Sequence, residues 1–280
     1  MYSTPSLQEL LEAGVHFGHQ LRRGHPRMRP FIYGVKDGVH ILDLTISDKY
    51  LKSACEYVYN LGKMGKVMLI VGTKKQARPL VQEALKDTTI PYLIERWIGG
   101  FLTNIDEIQK NIKKFKELKE QKTKGELSKY TKKEQLLLDR KMAKLERDFI
   151  GVLDLKTYPD AVFVLDAVTD GIAVREANRL KIPVVAIADT NCDPSLIDYP
   201  IPGNDDAIKS IRILTDTIVG AYKEGLKEAG VEAQKQAKIK EKADAKLAED
   251  ALLPKEVVEE VVKAEEKLEK VEVKEASRKE

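Results

Sequence analysis

Three short stretches constrain this chain more than anything else in it: KVMLIVG (66–72), DAVFVLD (160–166) and IPVVAIAD (182–189). A strand with one wet face alternates apolar and polar residues, whereas a strand covered on both faces is apolar throughout. All three belong to the second kind, so the interior of a parallel sheet is the expected setting. Helical patterns separate them: TKKQARPLVQEALKD follows the first run, and IAVREANRLK lies between the second and third. IPYLIE (90–95) reads as a further short strand. Strand and helix in alternation predict an α/β fold with helices on both faces of a parallel sheet. A last core helix follows, with Ile208, Ile211, Leu214, Ile218 and Ala221 as its apolar stripe and Asp205 or Asp206 as its expected cap.

Ahead of the sheet, SLQELLEA predicts a short helix with Leu7, Leu10 and Leu11 on one face. The stretch GVHFGHQLRRGHPRMRP (14–30) reads as irregular and basic. In FIYGVKDGVHILDL two apolar segments flank Asp37-Gly38, a dipeptide suited to the positive φ angles of a tight hairpin. Ser47 is placed to cap a helix running to about Met64, with Leu51, Ala54, Cys55, Val58 and Leu61 inward.

Residues 105–147 interrupt the alternation. Ile105, Ile108, Ile112 and Phe115 recur at helical spacing, a polar turn follows, and Leu137, Leu138, Met142 and Leu145 recur in turn. Two such helices predict an antiparallel hairpin with a narrow apolar seam. Residues 109–147 carry 14 Lys+Arg against 6 Asp+Glu, a net of +8 in a chain whose total is only +3. Clustered positive charge is a footprint for phosphate backbones, the bland alternative being a solvated helix surface. Beyond residue 225 the chain turns to Ala, Glu, Lys and Val without an aromatic, and Pro254 divides it into two candidate helices. The expected organisation is an α/β body (1–104 and 148–225), an inserted arm (105–147) and a charged, partly helical or disordered extension (226–280).

No apolar run is long enough to span a bilayer, and Cys55 and Cys192 form neither a disulfide framework nor a paired metal motif. A cytoplasmic protein without membrane contact or cofactor is expected.

The stretch DTNCDPSLIDYPIPGNDD (189–206) crowds five aspartates and a cysteine beyond a strand end, where α/β folds bind ligands. It holds no histidine beside Cys192, no lysine and no glycine-rich phosphate cradle, while Pro194, Pro200, Pro202 and Gly203 fix a route for the chain. A shaped structural loop is preferred; the alternative is a nucleotide- or metal-dependent enzyme on a doubly wound sheet using this loop. VGTKKQ (71–76) lacks the P-loop glycine and its Gly-Lys-Ser/Thr ending, so Lys74 and Lys75 are candidates for an RNA phosphate rather than a nucleotide. His16, His19 and His25 form the one sequence-level trio for zinc, without cysteine partners. Arg22, Arg23, Arg27 and Arg29 lie beside Phe17 and Phe31, and no acid occurs in 14–30 to pair with them, which points to an anionic partner. RWIGGFLTN (96–104) holds the only tryptophan, an expected anchor for the arm's base, and Arg96 is a further phosphate candidate. On the arm the candidates are Lys113, Lys114, Lys132 and Lys133.

GVHFGHQLRRGHPRMRPFIYGVKDGVHILDL, LIVGTKKQA, ERWIGGFLTN and IPVVAIADTNCDPSLIDYPIPGNDDAIKSI together resemble the bacterial-type family of small-subunit ribosomal protein 2, over about residues 3–225. The resemblance implies a flavodoxin-like body with an inserted helical hairpin. It also implies a non-catalytic constituent of the small ribosomal subunit that binds its rRNA. Neighbouring ribosomal proteins are implied partners, and small-subunit ribosomal protein 1 is one whose docking the family supports. No small-molecule substrate is implied. Gly24 departs from the family pattern, where many relatives carry tryptophan, and 226–280 lies outside the matched region.

Overall fold

A computed structural model describes residues 2–86, 88–129 and 131–251, except for the side chains of 126, 128 and 231–251. The chain opens with α1 (Leu7–Glu12), fixed by a reciprocal cap in which Ser6 Oγ accepts from Glu9 N–H and Glu9 accepts from Ser6 N–H. Only Leu10 of its apolar stripe is buried; Leu7 and Leu11 are exposed. The stretch expected to be irregular contributes a strand, β1 (Phe17–Gln20), and two short 3-10 turns. β2 (Ile32–Lys36) and β3 (Val39–Leu42) form the hairpin, and Asp37 and Gly38 take φ of 51° and 77° as its turn requires. These strands make a three-stranded antiparallel sheet in the order β1-β3-β2.

Helix α2 (Leu44–Lys63) begins earlier than Ser47 predicts. Asp43 is the cap, accepting from Thr45 N–H at 2.8 Å, and Ser47 sits one turn inside, donating to the Asp43 carbonyl. The parallel core then builds in sequence: β4 (Met68–Val71), α3 (Ala77–Ala84), β5 (Tyr92–Leu93), the arm helices α4 (Ile105–Thr123) and α5 (Lys132–Phe149), β6 (Ala161–Val164), α6 (Gly171–Arg179), β7 (Val184–Ala188), β8 (Tyr199–Pro202) and α7 (Ile208–Ala251). The five strands run β5-β4-β6-β7-β8, every pairing parallel. β8 lies within the stretch expected to be a loop.

Strand pleating explains the continuous apolar runs. Met68, Ile70, Phe163, Val185 and Ile187 face α2, α3 and α7, while Leu69, Val71, Val162, Val164 and Ala186 face α6, the arm's base and the small antiparallel sheet. Each fully buried aliphatic side chain contributes about 1.5–3 kcal/mol. On the first face α2 and α7 cross closely at Gly62 and Gly225: a Cβ on Gly225 would overlap the Tyr59 carbonyl.

In the arm, Ile105, Ile108, Ile112 and Phe115 are buried as expected, facing half-buried Leu138, Met142 and Leu145. Leu137 does not join the seam; it is exposed with Leu136. Compactness divides the chain between Ala229 and Gly230. The helix predicted after Pro254 lies outside the described residues. Among the described residues no helix is long and apolar enough to cross a membrane.

Strand-tip cluster and candidate nucleic-acid interface

Parallel strands deliver their following residues to one edge of the sheet, and here that edge gathers charge. Lys74 arrives from β4, Asp166 and Asp170 from β6, Asp189 and Thr190 from β7, and Asn204, Asp205 and Asp206 from β8. Lys74 Nζ lies 2.8 Å from Asp205, 2.7 Å from Asp206 and 3.2 Å from Asp166. Burial alone would lower the lysine's pKa, but its bonds to Asp205 and Asp206 and the charge of Asp166 raise it overall. Burial, with the like charges of Asp166 and Asp189, lifts Asp205 to about 7 against the pull of Lys74. Burial likewise lifts Asp170 to about 6, although Thr73 Oγ1 donates to it at 2.8 Å. Lys74 therefore does not present a charge to a phosphate, as its sequence position suggested; three protein carboxylates neutralise it. Lys74→Met should destabilise the body by about 2–3 kcal/mol at neutral pH, because it leaves buried carboxylates uncompensated. Chemical denaturation of both proteins checks this.

The remaining aspartates of 189–206 are also engaged. Asp189 Oδ2 lies 3.1 Å from His19 Nδ1. Asp193 accepts from Ser195 N–H and Arg27, and Asp198 accepts from Val184 N–H at 2.8 Å at the start of β7. Asn204, not Asp205 or Asp206, holds the approach to α7, accepting from the N–H groups of Asp206 and Ala207. Burial pushes the Cys192 thiol up to about 12, which leaves it no nucleophilic character near neutral pH. The acids of this stretch are thus taken up by contacts within the protein.

This loop also fastens the start of the chain. Thr190 Oγ1 accepts from His19 N–H at 2.8 Å, the Thr190 carbonyl accepts from His25 N–H at 2.7 Å, and the Val15 carbonyl accepts from Asn204 N–H at 3.1 Å. Arg27 reaches Asp193 at 2.7 Å, so the basic segment does have an acid partner, supplied from far along the chain. The structure does not assemble the trio His16, His19 and His25. His16 packs against Phe17 with the rings tilted by 39°, and His25 Nδ1 accepts from Arg27 N–H. The one grouping of metal-ligating atoms among the described residues is His19 with Asp205 and Asp206, within 4.8 Å of one another and beside the Lys74 ammonium.

Arg22, Arg23, Arg27, Arg29, Lys75 and Arg96 are all exposed, as are Lys113, Lys114, Lys132 and Lys133 on the arm. Among the described residues, Arg23, Arg29, Lys75, Arg96 and these four lysines form no ion pair. Other arm lysines do: Lys122 with Asp139 at 2.8 Å, Lys119 with Glu146 at 3.5 Å and Lys116 with Asp154 at 3.7 Å. Sequence reasoning missed the residue that seats the arm. The buried carboxylate of Glu176 on α6 accepts from Trp97 Nε1, from the N–H groups of Gly100, Leu102 and Thr103, and from Thr103 Oγ1, at 2.7–3.3 Å. Trp97 is thus an anchor, as expected, and Glu176 is its counterpart. Nothing in the sequence marked it, since a lone glutamate in an amphipathic helix reads as solvated.

Comparison with known proteins places this architecture. The family model for ribosomal protein S2 matches residues 10–225, a span that takes in both sheets, the arm and the strand-tip cluster. The chain belongs to the ribosomal protein S2 family. It is 46% identical over 259 residues to the small ribosomal subunit protein uS2 of a Nitratiruptor species, covering 91% of this chain and 97% of that one. The uS2 proteins of Sulfurimonas denitrificans and Coprothermobacter proteolyticus are 48% and 47% identical over 220 residues, each covering 79% of this chain and respectively 85% and 82% of their own. Membership makes this S2 chain a structural ribosomal protein and not an enzyme, and its five-stranded flavodoxin-like sheet is the body of that family.

Proposed function

We propose that this S2 protein works in the cytoplasmic small ribosomal subunit as a clamp on its rRNA, and that it helps dock small-subunit ribosomal protein 1. In this reading the α/β body comprises 1–104 and 148–225, the arm 105–147 and the charged extension 226–280. The observation that carries it is the set of exposed cations without an ion-pair partner among the described residues: Arg23 and Arg29 on the body and Lys113, Lys114, Lys132 and Lys133 on the arm. Unpaired surface cations on a near-neutral scaffold suit a polyanion, and guanidinium forks suit phosphate oxygens. Arg22, Arg27, Lys75 and Arg96 extend the same surface. For the protein neighbour, β2 offers an edge strand with Tyr33 80% exposed and Val35 51% exposed, an apolar pair that phosphate does not require. The rival enzyme reading loses its acids, which are held by Lys74, His19, Arg27 and backbone N–H groups.

The test is equilibrium binding of the whole chain to small-subunit rRNA across a salt series. Affinity should fall by about a thousandfold or more between roughly 50 and 200 mM salt if six or more phosphates are neutralised. Absent or salt-indifferent binding would sink the proposal.

A further inference from the structure

The strand tips carry a feature that the aspartate cluster does not use. Between the turn after β6 and the short 3-10 turn Pro194–Leu196 lies a cavity of about 210 Å3. Val174, Cys192 and Ile197 line it as buried side chains, while Val168 and Leu196 line it and are 50% and 44% exposed. Small-molecule sites run to about 300–1,000 Å3, so this space suits one large side chain rather than a metabolite. Its rim is held in place: Asn178 Nδ2 on α6 donates to the Leu196 carbonyl at 2.8 Å, and Asp193 caps the 3-10 turn by accepting from Ser195 N–H. A pre-organised rim loses little entropy when a partner fills it. One wall adds charge. Arg175 of α6 lines the cavity, is exposed and forms no ion pair among the described residues. Helical spacing puts Ile172 and Arg179 on the same outward face as Arg175. Ile172 is exposed, and Arg179 is exposed and outside any ion pair among the described residues.

Exposed aliphatic side chains gathered around a cavity mark a surface that an assembly covers. Val168, Ile172 and Leu196 give a base no flat ring to stack on and a phosphate no donor, so RNA gains nothing from them. Arg175 and Arg179 suit carboxylates, whose oxygens accept from guanidinium forks. An acidic protein segment satisfies both halves of the surface. We propose that this cavity and the outward face of α6 dock a protein neighbour in the small subunit, through a segment that carries one apolar anchor side chain flanked by acids. Interface energy concentrates in buried anchors of this kind, and charged pairs beside them set orientation. Docking here rests on the chain's place in the small subunit, and the cavity shares no lining residue with the β2 edge.

The experiment replaces Leu196, and separately Ile172, by the photoreactive benzoylphenylalanine in the full chain and rebuilds each into small subunits. Illumination should join both positions to one acidic segment of one ribosomal protein. A synthetic peptide of that segment should then bind the full chain. Arg175→Glu and Leu196→Asp should each weaken that binding about tenfold or more. Reversing the peptide's acids to Lys should restore its binding to the Arg175→Glu chain. Both variants should keep the parental denaturation midpoint, because both side chains are exposed. Crosslinks to rRNA alone, or to no protein, from subunits that hold the chain would overturn the docking site and leave the rRNA clamp standing. Parental peptide affinity in both variants would overturn it as well. A chain that fails to enter the subunit at all removes the functional reading first, and this site with it.

Discussion

Glu176→Ala should cost about 4 kcal/mol of stability, the largest effect of any single substitution considered, since bonds to a charged acceptor contribute about 1.5–3 kcal/mol each and several donors lose theirs together. The affected donors belong to 97–103, the segment that leads into α4. Loss should therefore appear first as faster amide exchange in 97–104 and then as a lower denaturation midpoint. Glu176→Gln, which keeps one acceptor oxygen, should recover part of the deficit. The effect also has a pH signature. Burial acts to raise the Glu176 pKa, but the converging donors from Trp97, Gly100, Thr103 and Leu102 lower it overall. A carboxylate with a lowered folded-state pKa contributes stability above its unfolded value, about 4.3, and loses it as pH falls through the folded value. The gap between parent and variant should thus stay constant from about pH 6 to 8 and close only below about 4. A gap that closed near neutrality would contradict the assignment.

Reversing Lys113, Lys114, Lys132 and Lys133 to Glu should weaken binding to small-subunit rRNA by on the order of a hundredfold or more at moderate salt. It should also flatten the salt dependence by about 0.7–0.9 for each phosphate that is no longer neutralised. All four are exposed and outside the apolar seam, so the body and the hairpin should stay folded by circular dichroism. Lys119→Glu is a useful contrast because its ammonium already faces Glu146. A reversed arm that still joins the small subunit normally would show that the cations of the body suffice.

Most of the fold could be read from residue pattern because its determinants are local. Strands such as 68–71 and 184–188 are apolar on both faces, and the hairpin turn requires the backbone freedom of Asp37-Gly38. Two strands escaped for equally local reasons. β8 carries Pro200 and Pro202, which argue against a strand anywhere but an edge, and it is at an edge. β1 is Phe-Gly-His-Gln, with little strand propensity of its own; its pairing with β3 supplies what its composition lacks. The site was legible only in part. Exposed cations follow from composition and helical phase. The sequestering of Lys74 by Asp166, Asp205 and Asp206 does not, since these lie far along the chain and meet it only because of which strand tips adjoin. Arg27 presented the same difficulty: its partner Asp193 is 166 residues distant.

That distance bears on how the molecule is made. Residues 15–27 take part of their fixing from Thr190, Asp193 and Asn204, so during synthesis those bonds cannot form until those positions have emerged. At about 5–20 residues per second the wait is roughly 10–40 seconds. Through that interval Arg27 lacks the Asp193 carboxylate that it meets in the folded chain.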